Sequence, residues 1–242
     1  MGYINIDGQA RVFVQTGVDN TPQDARKNAE ALSQSLKGVK TGYINNGTEG
    51  IPGDVGEFLP NSVSKKDVIN EYTYRTLNAQ GPTLIALHSA GNEDARKALQ
   101  MGALYGHEYS NLSFISLGSP VSSKVMRQNI THAGGTYLGS VGDWRDPVTY
   151  SKTAGGSALG LTAAGAIAGA QAGATYAAPW GIGAGPLGVF ATGLIGGAVG
   201  GAVGGGLILF GSSAYHTFPK YISKPQSQSI MFDWLKKNPQ VK

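Results

Sequence analysis

The sequence contains no cysteine, so its fold needs neither disulfide bonds nor a thiolate metal site. Charged residues make up only 14% of the 242 residues, against about 25% in an ordinary soluble domain. Between Thr153 and Pro219 the chain has no Asp, Glu, Lys or Arg at all. Histidine and acidic residues do not cluster at ligand spacing, so we expect neither a metal nor a cofactor. Residues 1–20 lack a basic start followed by an apolar run, so no cleavable signal peptide is expected.

Positive charge is also modest, because the formal net charge is only +4. The sequence has no arginine-rich stripe and no aromatic stacking motif, and we therefore expect no nucleic-acid partner. Lysines concentrate near the end of the chain, where the only acid among them is Asp233: Lys220, Lys224, Lys236, Lys237 and Lys242. A tail of this kind is usually a solvated surface, and that is the interpretation we adopt.

Glycine is present in excess, with 37 residues, about twice the usual share. Within the uncharged stretch many glycines are spaced by four, as in Gly165, Gly169 and Gly173 and again in Gly193, Gly197, Gly201 and Gly205. In a helix this spacing stacks glycines on one face, where another backbone can approach closely. Residues 153–212 therefore predict a glycine-rich helical hairpin. The missing charges favour a membrane element, and an internal lid is the alternative that the sequence leaves open.

Strand-like and helix-like segments alternate through residues 1–152. In "TPQDARKNAEALSQSLKG", Thr21 can cap a helix, Pro22 suits its first position and Asp24 completes a capping box, while Gly38 ends it. The opening "YINIDGQARVFVQTG" predicts a hairpin around Asp7-Gly8. The later strands "TLIALH", "LSFISLG" and "TYLGSV" are each separated by a helical segment. Such repetition predicts a doubly wound, mostly parallel α/β fold.

The segment "TLIALHSAGNEDARKAL" places Ser89 at the junction of a strand and a helix. "LHSAG" fits the pattern G-x-S-x-G, except that Leu87 replaces the first glycine. Such a turn holds the serine in a strained conformation, with its hydroxyl above the carboxyl edge of the sheet. Gly91 supplies the small residue needed where the helix and a strand approach closely. Ser89 is therefore the predicted nucleophile.

A nucleophilic serine needs a general base, and the base needs an acid that orients it. In α/β-hydrolases these residues follow in the order Ser, Asp, His. The segment "GDWRDPV" after a predicted strand offers two acids, of which we favour Asp146 and keep Asp143 as the alternative. His216 in "AYHTFPKYI" is the predicted base.

Backbone N–H groups would form the oxyanion hole. One is expected from Ala90, directly after the nucleophile. The other is expected from Gly17 or Val18 in "QTGVDN", the loop that leaves the first long strand. Glycine at position 17 would let the backbone approach a substrate carbonyl closely.

"HSAGNEDARKAL", "FISLGSP", "GDWRDPV" and "YHTFPKYI" together resemble the lipase/esterase-like α/β-hydrolases found as carboxy-terminal toxin domains of bacterial secreted effectors. "VFVQTGVDNTPQDARKNAEAL" is similar to the opening strand, oxyanion loop and first helix of that group. The resemblance covers residues 11–150 and 213–235. It implies Ser89 as nucleophile, His216 as general base and Asp146 as its partner. It also implies a membrane-lipid ester as substrate and delivery into a competitor or host cell.

We therefore expect three parts: a hydrolase core in residues 1–152, the inserted hairpin in 153–212, and the end of the core in 213–242. The predicted function is hydrolysis of lipid esters by a secreted, membrane-associated effector of lipase or phospholipase type. The expected partners are the lipid substrate, a bilayer in contact with residues 153–212, and an immunity or delivery protein. Two alternatives remain, a pore-forming toxin that uses the hairpin, and an acyltransferase or thioesterase on the same scaffold.

Overall fold

A computed structural model of the chain describes residues 10–17, 21–44, 72–73, 81–143, 146 and 217–241. These residues form five strands: β1 (Val12–Gln15), β2 (Thr41–Ile44), β3 (Thr83–His88), β4 (Leu112–Leu117) and β5 (Thr136–Val141). The helices bounded within them are α1 (Pro22–Ser35), α2 (Gly91–Leu104), α3 (Ser123–His132), α4 (Phe218–Ile222) and α5 (Pro225–Lys237). The predicted hairpin of residues 153–212 lies outside the described residues. Within the described ranges, none of the helices combines the length and apolar character that a bilayer span requires.

The five strands form one sheet in the order β2-β1-β3-β4-β5, and every neighbouring pair is parallel. The predicted α/β class with a parallel sheet is therefore confirmed. The predicted opening hairpin is wrong for Val12–Gln15, because parallel neighbours occupy both sides of this strand. All four of its residues are buried, as is typical of a strand inside a parallel sheet.

Helices cover both faces of the sheet, and alternate strand residues point to opposite faces. Val12 and Val14 pack in one apolar cluster with residues of α1, α4 and α5. Phe13 packs in a second cluster with residues of α2 and α3. Along β3, Leu84 belongs to the first cluster and Ile85 to the second. The sheet is therefore buried between two helical layers.

The order of the strands reverses between β1 and β3. The chain steps from β1 to β2 in one direction, and from β3 through β4 to β5 in the other. Because crossovers between parallel strands are right-handed, this reversal places α1 on the face opposite α2 and α3. The point of reversal lies between β1 and β3, at the carboxyl edge of the sheet. In open α/β sheets, ligands bind at this position.

Helix α1 begins and ends as predicted. The Thr21 side chain accepts a hydrogen bond from the Asp24 N–H, and the Asp24 carboxylate accepts one from the Thr21 N–H, both at 3.2 Å. Ala25, Ala29 and Leu32 form the buried stripe. After the C-cap residue Leu36, the chain leaves the helix through Lys37 and Gly38, whose φ values of 59° and 87° both lie in the left-handed region.

Candidate functional site

Ser89 lies in the turn between β3 and α2, with a φ of 54°. Among the described non-glycine residues only Lys37 shares a positive φ. This conformation costs a residue with a Cβ atom about 1–3 kcal/mol, and it persists where the surrounding structure enforces it. The Ser89 N–H donates to the Leu117 carbonyl of β4 at 3.1 Å, which fixes the turn to the sheet. The predicted strand, strained turn and helix are therefore all present.

Gly91 begins α2 in direct contact with the backbone of β1. A Cβ atom added to Gly91 would lie 2.7 Å from the Gln15 carbonyl oxygen and 3.0 Å from that of Thr16. The need for a small residue two positions after the serine thus has a clear steric cause. No such need exists two positions before it, because Leu87 is fully buried in the cluster beneath α2 and α3. The departure from the glycine pattern at Leu87 is accommodated by apolar packing.

The structure brings together Gly17 and Ala90, two of the residues predicted for the oxyanion hole. A Cβ atom on Gly17 would lie 2.5 Å from the Ala90 nitrogen and 2.8 Å from the Ala90 Cβ atom. Ala90 also precedes the first residue of α2, so its N–H belongs to the positive end of the helix dipole. The third predicted residue, Val18, lies outside the described residues.

The first turn of α2 carries an ion pair. Arg96 donates to Glu93 through its Nε atom at 2.7 Å and through a second guanidinium nitrogen. The hydrogen bonds to Glu93 raise the pKa of Arg96 above its ordinary value. Glu93 lies four residues after Ser89 and is nearly buried. The ion pair with Arg96 offsets the cost of burying its negative charge.

The two predicted acids, Asp143 and Asp146, both follow β5 and are both buried. The Asp146 N–H donates to the Asp143 carbonyl at 3.0 Å, so the two residues share one turn. Their side chains have different partners. Asp143 forms an ion pair with Lys224, whose Nζ atom lies 2.9 Å from Oδ2. Asp146 accepts a hydrogen bond from the Tyr221 hydroxyl, a neutral donor.

Lys224 corrects the interpretation of the lysine-rich tail as wholly solvated. Its ammonium group donates to the Gly142 carbonyl and to the Asp143 carboxylate, each at 2.9 Å. The sequence interpretation considered only acids close along the chain, whereas Asp143 lies 81 positions away. Lys236 and Asp233, by contrast, form an exposed pair within α5.

Helix α4 packs its aromatic side chains beside the turn that contains Ser89. The ring of His88, the residue before Ser89, lies 5.5 Å from that of Phe218 and 5.9 Å from that of Tyr221, centroid to centroid. A Cβ atom on Gly118, after β4, would lie 2.8 Å from the Tyr221 ring. Tyr221 therefore contacts the ends of β3 and β4 while its hydroxyl reaches the acid that follows β5.

Sequence reasoning missed Tyr221 as a residue of this region. The available signal was its spacing, because Tyr221 follows Phe218 by three positions and the two therefore share a helix face.

The predicted general base, His216, lies outside the described residues. Ser89 and the two acids follow β3 and β5, which are separated by β4 alone. Two strand spacings amount to about 10 Å, so all three residues leave the same stretch of the carboxyl edge.

A cavity of about 550 Å³ lies away from these residues, between the carboxyl ends of α1 and α5. Its walls are Leu36, Lys37, Gly38, Val39, Phe232, Leu235 and Lys236. Helix α1 runs from the carboxyl edge, where β1 ends, back toward the start of β2. The cavity therefore lies at the amino edge of the sheet and shares no residue with the turn at Ser89.

No known protein family matches this chain, and no curated protein or solved structure is detectably similar to it. The resemblance to α/β-hydrolase toxin domains accordingly stays a prediction from the motifs.

Proposed function

We propose that the protein is a serine hydrolase of lipid esters, built on a doubly wound, α/β-hydrolase-like core. The observation that carries this proposal is the left-handed Ser89 at the carboxyl edge of the sheet, with Gly17 packed against Ala90. A strained serine at the start of a helix, beside the point where the strand order reverses, is suited to nucleophilic attack.

In this mechanism the Ser89 hydroxyl oxygen attacks the acyl carbonyl of the ester and forms a tetrahedral oxyanion. The Ala90 N–H and a backbone N–H of the segment at Gly17 and Val18 stabilise its negative charge. The alcohol then leaves with the proton taken from Ser89, and water releases the acyl group by the reverse steps. The contact between Gly17 and Ala90 supports this arrangement, because both donor segments must face one oxygen atom.

Asp146 is the acid that we propose for the relay, and Asp143 serves the structure. The ammonium group of Lys224 already neutralises Asp143 at 2.9 Å. Asp146 accepts a hydrogen bond from the neutral Tyr221 hydroxyl, which helps to fix the orientation of the carboxylate. A charged carboxylate is what an imidazole needs to keep its tautomer and orientation during proton transfer.

His216 is the proposed general base. Phe218, two residues later, packs beside His88, which adjoins Ser89 in the chain. His216 precedes Phe218 by two residues, and two residues of chain span at most about 7 Å. This connectivity supports His216 as the residue that takes the Ser89 proton and returns it to the leaving alcohol.

Lipid is the substrate class that we propose, acted on by an effector delivered into a target cell. Two sequence features support this proposal: the uncharged, glycine-rich stretch from Thr153 to Pro219, and the resemblance to effector lipases. An apolar element between the acid and the base would bring the ester bond of a membrane lipid to the carboxyl edge.

The proposal is tested by incubating bacterial lipid vesicles with the wild type and with Ser89→Ala, then measuring the products by mass spectrometry. Free fatty acid and the deacylated lipid are expected from the wild type alone. Ser123→Ala, an exposed serine on α3, is the matched control and should produce both. Equal products from Ser89→Ala and the wild type would contradict the proposal.

A further inference from the structure

We infer that Asn92 is a positioning residue that holds Ser89 in its reactive conformation, an inference that rests on the proposed function. Asn92 lies in the first turn of α2 and is fully buried. Neither the G-x-S-x-G pattern nor the triad assigns a role to this position, three residues after the serine.

Asn92 bonds the backbone on both sides of the turn. Its Nδ2 atom donates to the Ser89 carbonyl at 3.0 Å and to the Leu87 carbonyl at 3.2 Å. Its backbone N–H also donates to the Ser89 carbonyl, at 3.1 Å. One residue thus supplies two hydrogen bonds to the carbonyl of the strained serine and one to the end of β3.

The left-handed conformation explains why these bonds matter. A residue with a Cβ atom adopts a positive φ only where its surroundings enforce it. In Ser89 this conformation turns the carbonyl out of the strand direction and toward α2, where the Asn92 amide meets it. The bond to Leu87 anchors the same amide to the strand end, so relaxation of Ser89 to an extended conformation would break the hydrogen bonds that Asn92 donates to its carbonyl.

The chemistry of the side chain fits this role and excludes direct catalysis. An amide NH₂ has two donors, and here each is directed to a backbone carbonyl. Neither a carboxylate nor an aliphatic side chain would supply a hydrogen-bond donor at this position. Because Asn92 is fully buried and its amide nitrogen bonds the backbone of the turn, we infer that it acts through Ser89 and not on the substrate.

The test measures how fast Ser89 reacts with a fluorophosphonate, and intact-protein mass spectrometry monitors the labelling over time. In this reaction the serine oxygen bonds to phosphorus and fluoride leaves, so no knowledge of the natural ester is required. Asn92→Ala is expected to be labelled at least about tenfold more slowly than the wild type, since the transition state requires the hydroxyl in place. Asn92→Ser, which keeps one shorter donor, is expected to react at an intermediate rate.

Asn129→Ala is the matched control. The Asn129 Nδ2 atom donates to the Val125 carbonyl at 2.8 Å within α3, so this variant loses a similar bond far from Ser89. Its labelling rate should equal that of the wild type even where its melting temperature falls. A residue that merely supported the fold would lower the melting temperature and leave the labelling rate of the folded protein unchanged.

The outcomes separate this inference from the proposed function. Labelling of the wild type with unchanged labelling of Asn92→Ala would overturn the role of Asn92 and leave the nucleophile standing. Absence of wild-type labelling at Ser89 would overturn both the nucleophile and the inference that depends on it. If Asn92→Ala does not fold, the rate of Asn92→Ser decides, and a rate equal to that of the wild type overturns the inference.

Discussion

Tyr221 donates a hydrogen bond from its phenolic hydroxyl to the carboxylate of Asp146, and neither side chain is exposed to solvent. The two residues are 75 positions apart in the chain. Three residues further on, Lys224 pairs with Asp143, in the same turn as Asp146. The Tyr221 hydroxyl and the Lys224 ammonium group thus both fix the loop after β5 to the segment that contains α4 and α5.

Replacing Tyr221 by Phe should lower the free energy of unfolding by about 1–3 kcal/mol, because a buried carboxylate loses a hydrogen-bond donor. Urea unfolding at neutral pH measures the change. Tyr105→Phe makes the same substitution at a side chain that is 66% exposed, and its effect should stay within about 0.5 kcal/mol. Equal stability of Tyr221→Phe and the wild type would show that the hydroxyl contributes nothing to the folded state.

The two acids are distinguished by comparing Asp146→Asn with Asp143→Asn. Asp146→Asn should reduce kcat for ester hydrolysis about 10³- to 10⁴-fold, because the amide cannot orient and stabilise a protonated imidazole. Asp143→Asn should retain most of the activity while losing stability, since it leaves the Lys224 ammonium group without its carboxylate. A chromogenic short-chain ester serves as substrate. The reverse result would make Asp143 the catalytic acid.

Gly17→Ala should reduce ester hydrolysis about a hundredfold or more, because the added Cβ atom would lie 2.5 Å from the Ala90 nitrogen. The backbone must shift to relieve this contact, and the shift displaces the oxyanion donors. Gly106→Ala is the control, with a φ of 77° and open space around the added atom. It should cost about 1–2 kcal/mol of stability from backbone strain, with hydrolysis unchanged. An active Gly17→Ala enzyme would place the oxyanion hole elsewhere.

The helix cap of α1 provides a prediction that is independent of catalysis. The Thr21 hydroxyl, which donates to the Asp24 carboxylate at 2.6 Å, holds the pKa of Asp24 below its usual value of 3.8. A carboxyl group with a lowered pKa stabilises the folded state at pH values above its pKa in the unfolded chain. This contribution is lost as the pH falls through the pKa of the folded state. Thr21→Val should therefore raise the pKa of Asp24 toward 3.8 in a carboxyl-carbon NMR titration. Thr131→Val, at an exposed position on α3, should leave the Asp24 titration unchanged.

The sequence predicted those parts of the fold that local signals determine. The start of α1 follows from Thr21, Pro22 and Asp24, because a capping box uses neighbours within one helical turn. The turn at Ser89 follows from the change from a strand-like to a helix-like pattern directly after His88. The hairpin predicted for the first strand was wrong, because Asp7-Gly8 is a local turn signal and cannot report that distant strands occupy both sides of Val12–Gln15.

The contacts between distant segments were beyond reach of the sequence patterns. Tyr221 with Asp146 and Lys224 with Asp143 depend on where the chain returns after more than 70 residues. Gly17 was expected beside the oxyanion because it follows a strand, and its contact with Ala90 is a consequence of β1 and β3 being neighbours. That pairing depends on the order of the strands, which periodicity along the chain does not encode.

The apolar layer shared by α1, α4 and α5 has a consequence for how the protein is made. Trp234, Leu235 and Val241 complete this layer, so α1 alone covers this face of the sheet only in part until the chain has been synthesised through residue 241. Folding must therefore follow synthesis of this whole region, since no earlier nascent fragment contains the pieces that close it.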